Sequence, residues 1–234
     1  MINRLLLVVA VGAATVVAGG ATSAHAASNP VAIWEMNEAR GARVMHDRSG
    51  RGLDGRVGDD VRTGVGHGGA TAYHFPWVPP NAPPPKPEHL VLVPDAAALD
   101  PGTRAYTVTF RMSTTHSAGN ILQKGQAGAA GGYFKFQNPH GRVECAFKGA
   151  AGGATVRADR ALDDGGWHII RCQRTWDTVT LAVDGRVVDR RSRVTGSISN
   201  SRPLSIGGKS NCDQRKVTCD YFSGHIDWVR IEAG

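Results

Sequence analysis

The chain has 234 residues, with 30 glycines, 12 prolines and a formal net charge of +7 at pH 7. This length suits a single all-β domain, and this glycine and proline content is typical of a fold rich in turns. No segment has the period of a long amphipathic helix, which excludes a helical bundle. The positive charge favours acidic partners, and because no signature of a nucleic-acid-binding module is present, an anionic polysaccharide is favoured over nucleic acid.

The first 26 residues have the pattern of a secretory signal peptide. Arg4 forms a short positive region, residues 5–17 are almost wholly apolar, and Ala24-His25-Ala26 has the small-x-small form of a cleavage site. The apolar run is short for a membrane span, and no second one follows it. We therefore predict a secreted protein without a membrane anchor, whose single folded domain covers residues 27–234.

Short predicted strands follow one another along this domain. In residues 106–113 the apolar side chains alternate with polar ones, which is the period-2 pattern of a half-buried strand. Further strands are predicted at 31–36, 71–75, 89–94, 120–124, 133–136, 142–148, 155–157 and 222–231. Residues 76–87 contain seven prolines, which cannot donate to a strand ladder, so this segment is predicted to be a stiff surface loop.

Residues 167–188 predict two consecutive hairpins. Residues 168–173 and 178–183 both alternate, and the polar segment between them marks a tight turn. Asp184-Gly185 then predicts a type I′ turn, which needs positive φ at both central residues. About a dozen short strands with turns every 8–12 residues predict an all-β fold of two antiparallel sheets, packed as a jelly-roll β-sandwich.

Four motifs carry a resemblance to a known family. They are W-x-x-x-E with D-x-S-G-x-G-x-x-G in residues 34–55, Trp-His with Val-Asp-Gly in 167–185, an apolar-x-Ile-Gly-Gly segment at 204–208, and F-x-G-x-I-D-x-V-R-I at 222–231. In this order they resemble the laminin-G-like domains of the concanavalin A-like jelly-roll superfamily. The resemblance spans residues 31–232, and it implies a module that binds carbohydrate or a surface polymer.

The resemblance also implies a structural calcium ion that ties the N-terminal segment to the last strand. Asp227 alternates with Val229 and Ile231, so we expect its carboxylate on the buried face, where it needs a cation or hydrogen-bond donors. Calcium binds carboxylate and carbonyl oxygens together. The predicted ligands are oxygens of Asp47, Gly52, Asp54 and Asp227, with Glu38 as a weaker candidate. The alternatives for Asp227 are an ion pair with an arginine and an exposed strand edge.

Four cysteines lie in the predicted mature chain, and an exported protein can form disulfides. Cys212 and Cys219 are seven residues apart in a polar loop and are predicted to pair. Cys145 and Cys172 then form the second bridge, because both are expected to point inward from facing strands. Buried free thiols are the alternative, and the spacing does not match a zinc site.

Loop tryptophans and arginines are the candidate ligand-binding residues. Trp77 and Trp176 lie in turns, where an indole can stack on a sugar ring or pack down over a sheet edge. The arginine cluster at 186–193, with Arg186 and Arg190 as the chosen candidates, suits an anionic glycan, while a basic face that only keeps the protein soluble is the alternative.

The superfamily also contains glycoside hydrolases and polysaccharide lyases, so the fold alone does not decide activity. Glu35 and Glu38 are three residues apart, which places them on opposite strand faces and does not suit a retaining glucanase. Tyr133-Phe134-Lys135 resembles part of an alginate lyase motif, but it lies mid-chain. We predict a non-catalytic binding module. The alternatives are a polysaccharide-cleaving enzyme and an adhesion module that binds a cell-surface protein.

Overall fold

A computed structural model describes residues 29–79, 88–128, 130–210 and 220–234. These residues form sixteen β-strands and two short 3-10 turns, Ala97–Leu99 and Pro139–Gly141. The strands are β1 Asn29–Trp34, β2 Val44–Met45, β3 Gly55–Val57, β4 Arg62–His67, β5 Ala70–Phe75, β6 Val91–Val93, β7 Tyr106–Ser113, β8 Asn120–Lys124, β9 Tyr133–Gln137, β10 Glu144–Gly149, β11 Gly152–Arg157, β12 His168–Arg174, β13 Thr178–Val183, β14 Arg186–Ser192, β15 Leu204–Ile206 and β16 Gly224–Ala233.

The strands of the described residues form two eight-stranded antiparallel sheets. Sheet A has the order β14-β13-β12-β7-β16-β5-β4, and β1 pairs with the last residues of β16. Sheet B has the order β11-β10-β9-β8-β15-β6-β3-β2. The predicted two-sheet antiparallel jelly-roll sandwich is therefore confirmed. The strand number exceeds the expected dozen because several strands are only two or three residues long.

The core lies between the sheets and follows the alternation seen in the sequence. The inward residues of β7 are fully buried and meet aromatic side chains of β9. The rings of Phe110 and Phe136 pack edge to face with centroids 5.2 Å apart, and those of Tyr106 and Phe134 lie 5.4 Å apart. Such pairs add to the free energy gained from apolar burial.

A disulfide joins the two sheets across this core. Cys145 of β10 in sheet B is bonded to Cys172 of β12 in sheet A, in agreement with the predicted pairing. Both residues are fully buried. The other predicted pair, Cys212 and Cys219, lies outside the described residues.

The last strand contains a β-bulge that the sequence pattern does not reveal. The register between β16 and β7 shifts between Ile226 and Trp228, so Asp227 is the extra residue. Its carboxylate contacts Arg111, which lies on the outer side of sheet A, whereas Ile226 and Val229 point into the core. The prediction that Asp227 shares the buried face with Val229 is therefore wrong, because an extra residue re-aims the side chain.

No helix in the described parts of the chain is long and apolar enough to cross a membrane.

Candidate functional site

The two loop tryptophans lie at opposite ends of sheet A. Trp77 follows β5, whose last residue pairs with Gly224 at the start of β16, next to the end of β7. Trp176 follows Arg174, which pairs with Tyr106 at the beginning of β7. The eight residues of β7 span roughly 23 Å, so the two indoles cannot line one site. Trp77 is 57% exposed and Trp176 is 72% exposed.

A cleft of about 300 Å³ lies beside Trp77. It is formed where the loop after β5, the loop after β7 and the segment before β16 meet. Its aromatic and polar lining consists of the side chains of Trp77, His116, Ser117, Asp220, Tyr221 and Ser223, and Val78, Pro79 and Ala118 add apolar surface. The cleft therefore combines aromatic surfaces with hydroxyl groups and one carboxylate, a composition that suits a small polar ligand.

The aromatic side chains of the cleft have defined neighbours. The rings of Trp77 and His116 are nearly parallel, with an interplanar angle of 17° and centroids 6.4 Å apart. The Tyr221 ring lies 5.3 Å from that of His89. Burial, and then the negative charge of Asp60, raise the pKa of Tyr221 above its ordinary value, so its phenol stays protonated as a hydrogen-bond donor at neutral pH.

Hydrogen bonds hold the wall of the cleft in place. The Thr114 hydroxyl donates to the carbonyl of Ser223 at 2.6 Å and accepts from the backbone N–H of His116 at 3.0 Å. The Asn138 amide donates to the carbonyl of His116 at 2.8 Å. Gly119 has φ +158° and lies so close to the segment before β16 that a Cβ would stand 2.7 Å from the Cα of Phe222. Contacts within the protein therefore fix the conformation of the cleft wall.

Buried polar groups lie behind this wall. The amide oxygens of Asn120 and Asn138 are buried and accept no hydrogen bond from any described residue. A buried acceptor without a donor is costly, so these two amides are unusual features of the structure. Asp220, at the mouth, forms an ion pair with Lys209. Polar groups are therefore present both at the mouth of the cleft and behind its wall.

Trp176 stands at the tip of a separate, well-bonded turn. The backbone N–H of Thr175 donates to the carbonyl of Thr178 at 2.8 Å, and the carboxylate of Asp177 accepts from both threonine hydroxyls. Of the two candidate arginines, Arg186 forms an ion pair with Asp159. Arg190 lies on the edge strand β14 and pairs with Thr180. None of these residues reaches the cleft at Trp77.

The predicted calcium ligand Asp47 already has a full set of donors. Its carboxylate accepts from the backbone N–H groups of Ile33, Ser49 and Leu53, and from the Ser49 hydroxyl, at 2.7–3.1 Å. Burial works to raise the pKa of Asp47, but the hydrogen bonds from Ser49, Ile33 and Leu53 outweigh it and hold this pKa below its ordinary value. Asp54 accepts from the backbone N–H of Asp47 at 2.8 Å.

The other predicted ligands have partners as well. Arg111 donates to Asp227 at 2.6 Å, and His67 lies 3.5 Å from the second oxygen of that carboxylate. Glu38 accepts from the Tyr73 hydroxyl at 2.6 Å. Within the described ranges, no group of three or more His, Cys, Asp or Glu side chains is placed to hold a metal ion. The carboxylates that a calcium ion would need are therefore already engaged by protein donors. The calcium ion remains a prediction.

Sequence reasoning identified Trp77 but missed its partners in the cleft. His116 and Tyr221 lie 39 and 144 residues after Trp77 in the chain. No local pattern links them to Trp77, because only the pairing of β5, β7 and β16 brings the three residues together. The position of Tyr221, an aromatic residue just before the last strand, is a local signal that could have identified it as a candidate for ligand contact.

Comparison with known proteins agrees with this fold. A laminin G family model, described as the concanavalin A-like lectin/glucanases superfamily, matches residues 88–233. The chain therefore belongs to this family.

Two relatives share part of the chain. Sex hormone-binding globulin of Oryctolagus cuniculus is 32% identical over 104 residues, which are 43% of this chain and 26% of that protein. Laminin subunit alpha-1 of Mus musculus is 30% identical over 108 residues, which are 43% of this chain and 3% of that protein. The chain thus matches only a small part of the length of these relatives.

A solved structure covers more of the chain. Domain 4 of an extracellular arabinanase from Geobacillus stearothermophilus, in complex with arabinotriose, superposes with a TM-score of 0.61 and 14% identity. The match covers 88% of this chain and 93% of that one. At this identity the likeness shows a common fold.

Proposed function

We propose that the chain is a secreted, non-catalytic module that binds carbohydrate or a surface polymer at the Trp77 cleft. The observation that carries the proposal is the exposed Trp77 indole, held beside His116 and Tyr221 over a polar cleft. An exposed indole offers a flat apolar face to a sugar ring, and the adjacent hydroxyl and carboxylate groups can bond the sugar hydroxyls. Secretion is supported by the predicted signal peptide and by the Cys145–Cys172 disulfide.

The comparisons lend further support. The arabinanase domain that shares the fold was solved with arabinotriose, so this architecture can present a site for a short sugar chain. Neutral and acidic polysaccharides are both candidate ligands for the present chain, and a protein at a cell surface is the alternative partner.

The test uses the chain from Ala27 and a panel of insoluble or immobilised polysaccharides. We expect protein depletion from the supernatant on at least one neutral polysaccharide, and Trp77→Ala should weaken that binding about tenfold or more. Trp176→Ala is the matched control, because it removes an even more exposed indole at the other end of sheet A. Binding that is unchanged by Trp77→Ala contradicts the proposal.

A polysaccharide-cleaving enzyme is the second candidate, and one observation favours it. Lys135 lies on β9 beside Gln123 and Ala146, and burial, followed by the charge of Lys209, lowers the pKa of its ammonium group. A lysine of this kind can act as a base. The same supernatant distinguishes binding from cleavage. Reducing ends or unsaturated uronates that accumulate with time would establish cleavage, and Lys135→Met should then abolish their release.

A further inference from the structure

Arginines are aligned across neighbouring strands on the outer face of sheet A. Arg171 of β12 pairs with Thr109 of β7, and Thr109 pairs in turn with Arg230 of β16. Directly opposed residues of antiparallel strands share one face, so both guanidinium groups rise from the same side of the sheet. They are two strand spacings apart, about 10 Å. The short Thr109 side chain leaves the surface between them open.

Arg190 extends this arrangement toward the edge of the sheet. It pairs with Thr180 of β13, which pairs with Gln173 of β12. The neighbours of Thr180 along β13, Val179 and Leu181, are fully buried, so Thr180 and the residues opposite it face outward. Arg171, Arg190 and Arg230 therefore lie on one surface that crosses five strands.

The charges of this surface do not cancel. Glu232 is paired with Arg230 at 2.9 Å, and Asp227 is paired with Arg111. Within the part of the chain that the structure describes, neither Arg171 nor Arg190 forms an ion pair with a carboxylate. The surface consequently keeps positive charge that an anionic ligand can neutralise.

Aromatic side chains stand beside Arg111, another arginine of the same face. Trp228 lies opposite Arg111 in the register of β16 and β7, and it is partly exposed. The guanidinium carbon of Arg111 lies 4.5 Å from the centroid of the Trp167 ring. Indole surfaces beside guanidinium groups suit a ligand that has apolar ring faces as well as negative charges, which a simple inorganic anion lacks.

We propose that the outer face of sheet A binds an anionic polysaccharide, whose carboxylate or sulfate groups are held by Arg171 and Arg190, the two arginines of this face without a carboxylate partner among the described residues. This inference rests on the proposed carbohydrate-binding function, but it concerns a surface separate from the Trp77 cleft. Guanidinium groups bind carboxylate and sulfate oxygens with paired hydrogen bonds, and arginines on different strands of one face can contact separate charges of one extended chain.

The test compares two double variants that lose the same charge. Arg171→Gln with Arg190→Gln removes arginines that have no carboxylate partner, so no buried carboxylate is left alone. Arg191→Gln with Arg193→Gln is the control on the opposite side of β14, since Arg191 pairs with the buried Val179 and Arg193 lies against Gly152 of β11. Thermal melting of each variant verifies that it folds.

Affinity is measured for heparin, polygalacturonate and a neutral arabinan over a range of salt concentrations. We expect the Arg171/Arg190 variant to bind at least one of the two acidic polymers about tenfold more weakly, and with less salt dependence, while the control changes by about twofold or less. Heparin and polygalacturonate separate recognition of sulfate from recognition of carboxylate. Equal weakening in both double variants overturns the proposal, and so does unchanged binding of both polymers.

Two further comparisons keep the outcomes apart. An oligonucleotide of equal charge should bind more weakly than the acidic polysaccharide, and equal affinity contradicts a polysaccharide site. Trp77→Ala should weaken binding of the neutral arabinan alone. If it does not, the Trp77 cleft is not the binding site for the neutral polymer. The arginine variants still test whether the outer face of sheet A binds an acidic polysaccharide.

Discussion

Arg111 donates a 2.6 Å hydrogen bond to Asp227, and its guanidinium group simultaneously covers the ring of Trp167. The Asp227 side chain is only 12% exposed, and the His67 ring packs against Trp167 at a tilt of 31°, with centroids 4.2 Å apart. The bulge in β16 and the loop before β12 are therefore connected through one guanidinium group.

Arg111→Met should destabilise the fold by about 1–3 kcal/mol, because it leaves a mostly buried carboxylate without its main donor. Asp227→Asn in the same chain should restore part of this loss, since an amide is easier to bury than an unpaired charge. Urea denaturation of the single and double variants measures both effects. A double variant that is no more stable than Arg111→Met would show that the carboxylate is not the cause.

Histidines on the outer side of sheet A predict a loss of stability in mild acid. Burial, and then the positive charges of His225 and Arg62, lower the pKa of His74, while burial and then His67 lower that of His225. The rings of His74 and His225 are 4.7 Å apart.

Because these folded-state pKa values lie below the ordinary value of 6.5, the fold prefers neutral imidazoles. Their contribution to stability is complete above that value and is lost as the pH falls below it. The melting temperature should therefore drop between about pH 7.5 and about pH 5.5, and His225→Gln should reduce the drop by about half. An identical pH profile in the variant would contradict this assignment, and His46→Gln, at an exposed position, is the control.

The bridge between the sheets should contribute substantially to stability. Cys145 and Cys172 are 27 residues apart, and closing a loop of this length is worth about 3–4 kcal/mol through the entropy of the unfolded chain. Replacing both cysteines by alanine should lower the free energy of unfolding by about this amount, as measured by urea denaturation. A loss below about 1 kcal/mol would mean that the unfolded chain is already restricted.

The calcium hypothesis has a direct test by thermal melting. It predicts that excess chelator lowers the melting temperature, that added Ca²⁺ restores it, and that Asp47→Asn abolishes the difference. The hydrogen bonds that Asp47 accepts and the ion pair of Asp227 favour the opposite outcome. An unchanged melting temperature in chelator would remove the calcium ion from the description of this protein.

Local sequence patterns were enough for much of the fold. The alternation in residues 106–113 predicted the central strand β7, whose inward residues are fully buried. Asp184-Gly185 predicted a type I′ turn, and both residues have positive φ, 50° and 81°. These features depend on the order of side chains within a few residues, so a sequence alone contains the information.

The sequence pattern identified one aromatic residue of the cleft but not the other two. Trp77 was recognisable because a tryptophan in a proline-rich loop cannot be part of a strand ladder. Its neighbours His116 and Tyr221 were not, because only the pairing of distant strands makes them neighbours. The same holds for Arg171 and Arg230, which are ordinary strand residues until the register places them on one face.

The sequence by itself determined the strand pattern, the turn types and the inward direction of Cys145 and Cys172, since each follows from local alternation and backbone preference. The tertiary structure decided where Asp227 points, that Trp77 and Trp176 are at opposite ends, and that the arginines share a surface. The physical reason is that strand register and bulges arise from contacts between segments far apart in the chain, where one extra residue reverses the face that a side chain occupies.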